Sequence, residues 1–411
     1  MKNKTTPKKK KQKVEQVESH IETITDAVGE IATHYGFTVI KPPHIKNDDI
    51  AKAKQWKDHD HYNDTEEKIA LTRWFMERGK EMDSLPAAVH YKKNLKGLNK
   101  KGSSEIYGFE ILGSPRATSE ALLLKCALSV LDELGYKDVY VDVNSIGDKE
   151  SMGKFERELS VHFKKHHHAL PVKWKEAFRK NHHSVLLKNH PDIKEFMVNA
   201  PQSIGSLSET ARLHFKEVLE SVEAFEAVYK IKSNIFSNKH FASYTVFEIR
   251  QNPDKKSTET EGELLAYGYR YNNLAKKIGG KKDLPTVGLT IIVKKNKITN
   301  KKIPVNKIKK PKFYLVQLGN FAKLKALNVL EMLRQHKIPV YHSITKDKIG
   351  GQLNGAEYMK ASHVLIIGQK EAIENTVVVR DINNREQETV AVKNLSEFLK
   401  NIDKNKKDLK K

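Results

Sequence analysis

Strands and helices alternate along residues 313–400, and this alternation restricts the fold more than any other pattern in the chain. The segments FYLVQL, IPVYHS, HVLIIG and TVVVRDI have the apolar and β-branched composition of strands. The segments KLKALNVLEMLRQH, GAEYMKAS and LSEFLKNI have the composition of helices. The pattern predicts a compact α/β domain with a mostly parallel sheet. A basic, proline-containing linker at 297–312 precedes this domain.

Two groups of strand-like segments come before the linker, at 14–150 and 236–296. A block rich in lysine and histidine separates them at 151–235, and its periodicity predicts helices. The first group opens with an apolar helical stripe from Val14 to Tyr35, and the strand FTVI and a Pro-Pro pair follow. The strand groups therefore predict one structural unit that is interrupted by a helical insertion.

Charge and composition indicate the class of partner. The chain has 411 residues and a formal net charge of +23, which favours a polyanion such as nucleic acid. A lysine-rich tail at 1–13 is predicted to be disordered, and residues 401–411 form a second basic tail. The first of them is either a nucleic-acid-binding arm or a solubilising tail. No apolar run is long enough to span a membrane, and the one cysteine, Cys126, has no internal partner. We expect a cytoplasmic protein.

Six of the 18 histidines lie between residues 164 and 190. No cysteine or carboxylate stands at ligand spacing within this run, so we predict no metal site. A solvated basic face is the favoured interpretation. The alternative is that this same face, with Trp174 and Phe178 among its lysines, contacts RNA.

The strand SEIYGFEIL carries a carboxylate, Glu110, among aromatic and aliphatic neighbours. Burying an unpaired carboxylate is costly, so the residue is expected to have a partner or a function. One interpretation is an ion pair with a neighbouring lysine or arginine.

At this point the order of the segments resembles that of the histidyl-tRNA synthetases, from about residue 14 to about residue 400. EILGS followed by SEALLL, then VNSIGDKES, YTVFEI, YGYRYNNLAKKIGG and TVGLTIIV match that family in order. The resemblance implies an α+β class II synthetase core with a six-stranded antiparallel sheet flanked by helices. It also implies the helical insertion, a C-terminal α/β domain of the anticodon-binding type, and a homodimer formed through the opening helix.

The resemblance also implies roles for individual residues. Glu110 matches a family residue that faces the amino acid histidine, and Arg270 and Tyr271 match an arginine–tyrosine pair of the amino-acid pocket. A glutamate-containing turn of that pocket is replaced by ALTRWFMER, and Ile106 replaces a polar pocket residue.

Candidate RNA contacts follow from the same resemblance. The segment KDKIGGQ belongs to the anticodon-binding domain of the family, which makes Lys346, Lys348 and Gln352 candidate RNA-binding residues. An ordinary turn is the alternative interpretation.

The arginines that the family uses to hold ATP are missing. Bidentate guanidinium groups suit the phosphates of the adenylation transition state, and an ammonium lacks that planar fork. The loop before the Glu110 strand holds Lys100 and Lys101 instead, and Lys295 stands where the third motif has arginine. Ser237 lies nearest to the position of a third arginine that is special to the family. Lys100, Lys101 and Lys295 are thus the candidate ATP or phosphate contacts.

The favoured prediction is a synthetase-like tRNA-binding protein with degraded aminoacylation. The alternative is a divergent but active histidine–tRNA ligase that uses ATP and Mg²⁺, with Arg73, Arg116 or Arg250 replacing a missing arginine. A third interpretation, the regulatory paralogue of histidine biosynthesis, is disfavoured because that paralogue lacks the domain predicted at 313–400.

Overall fold

The computed structural model describes residues 26–57, 62–78, 85–93, 104–180, 185–186, 190–253, 261–298 and 311–408. The predicted tail at 1–13, the first half of the opening helix and most of the linker lie outside these residues. No described helix combines the length and apolar character that crossing a bilayer requires.

The larger of two sheets has eight strands. They are β1 Thr38–Val39, β2 Ala87–Lys93, β3 Ser104–Leu112, β4 Val139–Gly147, β5 Tyr229–Ile231, β6 Ser243–Gln251, β7 Glu263–Arg270 and β8 Thr286–Lys294. Their order is β1-β2-β3-β8-β7-β6-β4-β5. The six strands from β2 to β4 pair antiparallel, whereas β1 and β5 add parallel edges. The predicted six-stranded antiparallel sheet is therefore confirmed, with one short strand added at each side.

The two faces of this sheet differ in character. One face packs its apolar side chains against α1 Ala27–His34, α4 Thr118–Glu133 and α8 Glu209–Ala224. The other face lies under α2 Asn47–Lys54 and α3 Thr65–Arg78 and carries Glu110 and several tyrosines. The short helix α9 Leu274–Lys277 contacts α3. Because directly paired residues of antiparallel strands share a face, the pairing of Glu110 with Gly288 points both toward α3. The polar face of the sheet is thus an enclosed layer.

The helical insertion forms its own aromatic core. Its helices are α5 Lys149–His166, α6 Val172–Lys180 and α7 Lys194–Val198. Phe163 and Phe178 stack with their ring centroids 3.8 Å apart, and Trp174 is 6% exposed. An apolar core therefore holds both rings, and the tRNA contact considered for this basic face stays a prediction that concerns its lysines. Within the described ranges no three or more His, Cys, Asp or Glu side chains are grouped to hold a metal ion.

The smaller sheet has five strands. They are β9 Phe313–Gln317, β10 Val340–His342, β11 His363–Ile367, β12 Thr376–Asp381 and β13 Gln387–Ala391. Strands β10, β9 and β11 run parallel, and β12 and β13 join them antiparallel. The sheet was expected to be mostly parallel, but only two of its four strand pairings are parallel. Strand β13 was missed because its first three residues are polar and exposed.

Four helices accompany the smaller sheet. They are α10 Asn320–Gln335, α11 Ile349–Tyr358, α12 Gln369–Glu374 and α13 Val392–Asp408. Helix α13 extends well past residue 400, where the basic tail was predicted to begin. The first eight residues of the basic tail are therefore helical and continue the helix predicted for LSEFLKNI.

Helix α10 attaches the C-terminal unit, which is built on the five-stranded sheet, to the unit that is built on the eight-stranded sheet. Glu331 accepts hydrogen bonds of 2.8 Å from the hydroxyls of Tyr35 and Ser129, and Arg334 donates to Glu133 at 2.8 Å. The apolar core continues across this junction. Val28 and Ile31 of α1 are 0% and 3% exposed within the single chain. The described part of the opening helix therefore offers little apolar surface to a second copy, and the homodimer stays a prediction.

Two histidines whose ring nitrogens are buried, His90 and His342, make the fold sensitive to acid. His90 on β2 is 5% exposed, and no described residue supplies its ring nitrogens with a hydrogen-bond partner. Burial lowers the pKa of His90 to about 4, and burial likewise lowers the pKa of His342 to about 4. A histidine in the unfolded chain titrates near pH 6.5, at about its model-peptide pKa. The neutral rings therefore contribute fully to the free energy of unfolding above pH ~6.5, and this contribution is lost as the pH falls toward about 4.

We expect the free energy of unfolding, measured with urea, to decrease between those two pH values by up to about 3 kcal/mol per ring. Replacing His90 by glutamine should flatten part of the pH dependence, since an amide does not titrate. A His90→Gln variant with the same slope as the parent chain would contradict the assignment.

Candidate functional site

A buried ion pair occupies the centre of the polar sheet face. Lys68 Nζ donates to Glu110 Oε1 at 2.5 Å, and the two side chains are 1% and 0% exposed. The hydroxyl of Tyr271 donates to Glu110 Oε2 at 2.7 Å. The ring centroids of Tyr269 and Tyr271 lie 5.4 Å and 5.2 Å from the ammonium nitrogen. One carboxylate and two aromatic faces thus surround the Lys68 ammonium group.

The protonation of Tyr271 follows from its surroundings. Burial, and then the adjacent Glu110 carboxylate, raise the pKa of Tyr271 well above its ordinary value of 10.0. The phenol therefore keeps its one proton at physiological pH and directs it to Glu110.

Backbone geometry makes room for this ion pair. Gly288 on β8 lies directly opposite Glu110 on β3. A Cβ atom at position 288 would overlap both the Glu110 carboxylate and the Lys68 ammonium group. The absence of a side chain at Gly288 is therefore what allows β8 to form a wall of the site.

Helix α3 holds Lys68 over the sheet, and Arg73 anchors that helix. Arg73 Nε and Nη2 donate to the two carboxylate oxygens of Asp49 on α2, at 3.0 Å and 2.9 Å. Arg73 also pairs with Glu77 at 3.3 Å and bonds the carbonyl of His44. All of its polar contacts therefore serve the α2–α3 pair.

The segment just before Lys68 covers the rest of the polar face. Tyr62 stacks on Tyr267 with centroids 4.2 Å apart and an interplanar angle of 6°, and its hydroxyl donates to Glu248 at 3.0 Å. Tyr269 donates to Asp64 Oδ1 at 2.7 Å. Residues 62–68 thus lie along the sheet and use its polar groups as partners.

Arg270 was predicted to line the amino-acid pocket, but other residues of the chain accept hydrogen bonds from all of its guanidinium donors. Its side chain is 0% exposed. Nε donates to Glu120 at 2.6 Å, and Nη2 donates to the other oxygen of Glu120 and to the carbonyl of Arg116. Nη1 donates to the carbonyl of Ser114 at 2.7 Å and to Asn272 at 3.3 Å. All five donors of the guanidinium group have partners, so Arg270 acts as an internal clamp.

Glu120 is the anion of this clamp. Burial by itself raises the pKa of Glu120, but the Arg270 guanidinium and then His214 outweigh burial and lower the pKa to about 2. His214 Nε2 lies 2.8 Å from Glu120 Oε1. The carboxylate is therefore ionised at every physiological pH.

The candidate phosphate-binding lysines do not gather around Glu110. Lys100 and Lys101 lie outside the described residues. Lys295 is exposed and begins a short 3-10 turn just after β8. Six extended residues of about 3.3 Å each separate Gly288 from the end of β8, a distance of about 20 Å. Lys295 and the Glu110 pair are thus at opposite ends of one strand.

The arginines considered as replacements have other partners. Arg250 bonds Glu248 at 2.7 Å and the carbonyl of Gly262 at 2.7 Å. Arg116 is 62% exposed and lies 3.4 Å from Asp347 of the C-terminal unit. Ile106 and Ser237 are 1% and 6% exposed. Together with the Arg73 contacts, this geometry leaves no described guanidinium group beside the Glu110 pair.

One of the three candidate RNA contacts is buried. Gln352 is 0% exposed, and its amide bonds the backbone N–H and carbonyl of Gln317 at 3.1 Å and 2.9 Å. It therefore links α11 to β9, and the prediction that it contacts RNA is wrong. Lys348 is exposed and Lys346 is partly exposed, so both remain candidates.

Lys68 is the site residue that the sequence reasoning missed. The segment compared with the family's pocket was ALTRWFMER, which begins two residues after Lys68. A signal was nevertheless present, because Lys68 falls on the buried side of α3 with Thr65, Ile69 and Thr72. A lysine at a buried helical position requires an anion, and Glu110 was the strand carboxylate that required a cation.

The chain is similar to known proteins in its C-terminal domain, in most of its sequence and in its fold. Residues 312–402 match the family described as "Anticodon binding domain". The histidine–tRNA ligase of Fervidobacterium nodosum is 29% identical over 286 residues, which cover 68% of this chain and 66% of that protein. The ligase of Oceanobacillus iheyensis is 26% identical over 301 residues, covering 71% and 68%. The chain thus matches about two thirds of the length of these relatives.

A solved structure supports the fold. The apo histidyl-tRNA synthetase of S. aureus superposes with a TM-score of 0.50 over 90% of this chain and 92% of its own. Its sequence identity is 19%, so this likeness concerns the architecture alone. The predicted α+β core with a C-terminal anticodon-binding-type domain is confirmed.

Proposed function

Because the chain belongs to the histidyl-tRNA synthetase family, we propose that it is a tRNA-binding member whose amino-acid adenylation is lost or strongly reduced. The observation that carries this proposal is the ion pair between Lys68 and Glu110. The chain supplies its own cation to the carboxylate that the family resemblance assigns to the amino acid.

The energetics favour the internal partner over a ligand. An amino acid that binds Glu110 and Tyr271 must first displace Lys68, whose ammonium and carboxylate partners are both buried. Separating a buried pair costs about 3–5 kcal/mol. That cost corresponds to a loss of about 10²- to 10³-fold or more in affinity.

The residues expected to bind the phosphates of ATP are missing as well. ATP and Mg²⁺ are the substrates and metal that an active member would use. The three arginines expected from the resemblance are absent, and the described replacement candidates are engaged elsewhere. A lysine such as Lys295 attracts phosphate without the bidentate geometry that stabilises the transition state. The described residues therefore do not fit an adenylation centre.

Histidine-dependent ATP–pyrophosphate exchange tests this proposal. We expect a rate at least about 100-fold below 1 s⁻¹, the lower end of the ordinary enzyme range. The other amino acids should give no faster exchange, and an authentic histidyl-tRNA synthetase assayed in parallel serves as the positive control. Exchange with histidine near 1 s⁻¹ would support the competing candidate, an active histidine–tRNA ligase. The retained Glu110–Tyr271 contact is the observation that favours that candidate.

Binding of tRNA is the second half of the proposal. The net charge of +23 and the match of residues 312–402 to the anticodon binding domain support it. Neutralising phosphates releases counterions, so the affinity should fall at least about tenfold between 50 and 200 mM salt. Filter binding with total tRNA measures this dependence, and an affinity that does not change with salt would contradict the proposal.

Paired lysine variants locate the contact. Replacing Lys346 and Lys348 together by alanine should weaken binding by about three- to tenfold and lower the salt slope by up to ~2. The matched control replaces Lys281 and Lys282 by alanine and so removes the same charge. Both lysines are exposed on the unit that is built on the eight-stranded sheet. Equal effects of the two double variants would mean that net charge alone determines the binding.

A further inference from the structure

The junction between the C-terminal unit and the larger unit, which is built on the eight-stranded sheet, contains one histidine from each side. His34 ends α1 of the larger unit, and its Nε2 donates to the carbonyl of Leu330 on α10 at 2.8 Å. His342 ends β10 of the C-terminal unit, and its ring lies against Gly36, just beyond α1. A Cβ atom at Gly36 would be only 3.0 Å from that ring. Each of the two histidines therefore packs against the opposite unit.

His34 has an anion and a cation beside it, both on α10. Arg334 donates to the two carboxylate oxygens of Glu331 at 2.9 Å, and it also donates to Glu133 of α4 at 2.8 Å. The carboxylate of Glu331 is thus already neutralised by Arg334. Burial lowers the pKa of His34, and the carbonyl of Leu330 opposes that effect only in part.

His342 lies in a less polar setting. Its ring nitrogens face the carbonyls of His34 and Tyr35 without hydrogen-bond geometry. Strand β9 places Leu315 opposite His342 and so adds no charge. Burial, and then the neighbouring His34, lower the pKa of His342 to about 4. Among the described residues, no anion therefore stands ready to compensate a proton on this ring.

We infer that His34 and His342 form an acid-sensitive latch, whose protonation releases the C-terminal unit from the larger unit while both units stay folded. This inference goes beyond the proposed function and does not depend on the loss of adenylation. Protonation would place two positive charges next to each other in a buried junction, where neither ring has an anion of its own. Moving apart returns both rings to water.

The rest of the junction is compatible with such a release. Hydrogen bonds join the units at its edge, where Asn328 donates to the carbonyl of Ala224 at 2.9 Å and Asn320 donates to Glu217 at 3.3 Å. Water replaces such bonds at little net cost. Relative motion is the default expectation for two units that meet in this way. The apolar part of the junction opposes release, so we expect release only when both rings are protonated.

The size of the effect follows from proton linkage. A histidine exposed to water titrates near pH 6.5. The contribution of neutral His342 to docking is therefore complete above pH ~6.5 and is lost as the pH falls toward about 4. At pH ~5 the docking equilibrium is weaker by up to about 30-fold through His342 alone. His34 shifts the equilibrium in the same direction.

Cys126, the one cysteine of the chain, reports on the latch. Its side chain is 1% exposed. On α4 it shares a face with Ser129 and Glu133, which bind α10, since residues three, four and seven apart lie on one side of a helix. Glu331 and Arg334 of α10 also act on its thiol. Release of α10 should therefore expose a thiol that the docked chain protects.

The test is the reaction of Cys126 with dithiodipyridine, a reagent that modifies thiols in acid as well as at neutral pH. The rate for the full-length chain is divided by the rate for the urea-unfolded chain at the same pH, which removes the effect of thiol ionisation. We expect the protection of the thiol to fall at least about tenfold between pH ~7.5 and ~5. The far-ultraviolet circular dichroism should not change over this range. The double variant His34→Gln/His342→Gln should stay protected, since an amide does not titrate and keeps an N–H donor.

The variant His90→Gln is the matched control. His90 is also buried, but it lies near Asp26 at the opposite end of α1, so this variant should lose protection in acid as the parent chain does. Equal protection of the parent chain at both pH values would overturn the inference. Loss of protection only together with the dichroism signal, or in the double variant as well, would also overturn it. If the double variant does not fold, His342→Gln alone replaces it, and a pH dependence equal to that of the parent chain would be decisive against the latch.

Discussion

Replacing Lys68 by methionine is expected to lower the free energy of unfolding by about 3–5 kcal/mol. Methionine has a similar length and stays apolar, so the change removes the charge while largely keeping the volume. Glu110 would then be a buried carboxylate that has lost its ion pair with Lys68 and still accepts a hydrogen bond from the Tyr271 hydroxyl. Urea denaturation at pH 7 followed by circular dichroism measures the difference.

The pH dependence of the Lys68→Met variant provides a second check. Loss of the cation raises the folded-state pKa of Glu110 above its unfolded value of about 4.3. A raised carboxyl pKa contributes stability that is complete below the unfolded pKa and is lost as the pH rises. The deficit of the variant should therefore shrink as the pH falls from 7 toward about 4.

Two controls separate the ion pair from general effects of the substitution. Lys46→Met breaks an ion pair of 3.1 Å with Glu77 in which both side chains are about half exposed, and should cost less than ~1 kcal/mol. Lys68→Met/Glu110→Gln removes both charges and should recover part of the loss. A cost below about 1 kcal/mol for Lys68→Met would mean that Glu110 is not held by this pair.

Replacing Arg270 by leucine is expected to be about as damaging, with a loss of roughly 3–5 kcal/mol. The guanidinium group joins Glu120 to two carbonyls of the segment that follows β3. The variant removes this cation from the buried Glu120 carboxylate and leaves the contact with His214. Lysine at this position keeps the charge but loses the planar fork, so Arg270→Lys should lie between the parent and the leucine variant.

The same measurement distinguishes a clamp from a substrate contact. A clamp lowers stability in the absence of any ligand, whereas a pocket arginine with free donors affects mainly ligand binding. Arg116→Leu is the matched control, because its side chain is 62% exposed and its ion pair of 3.4 Å should contribute little. If Arg270→Leu unfolded at the same urea concentration as Arg116→Leu, the clamp assignment would be wrong.

The C-terminal unit shows which features of a fold can be predicted from local sequence patterns. Alternation of strands and helices predicted its α/β class, since each element there has a periodicity that depends on neighbours in sequence. The direction of β12 and the existence of β13 did not follow. β13 is an edge strand with three exposed polar residues, and its pairing with β12 supplies most of its stabilising contacts.

The site shows why side-chain roles could not be assigned in the same way. Glu110 was recognised as a carboxylate in need of a partner, but its cation lies 42 residues earlier in the chain. Gln352 and Arg270 resembled ligand contacts because both are polar residues at family positions. Their hydrogen-bond partners, Gln317 and Glu120, lie 35 and 150 residues away and become neighbours only when the sheets form.

By itself, then, the sequence determined the kinds of elements, their order, the family and the demand for charge compensation at Glu110. These properties arise from local periodicity and from the cost of burying a charge, which act wherever the residues stand. Only the tertiary structure decided that Lys68 meets the demand, that Arg270 is saturated and that Lys295 lies at the far end of β8. Those outcomes depend on strand order and register, because the alignment of β3 with β8 and the placement of α3 above them determine which distant side chains share one enclosure.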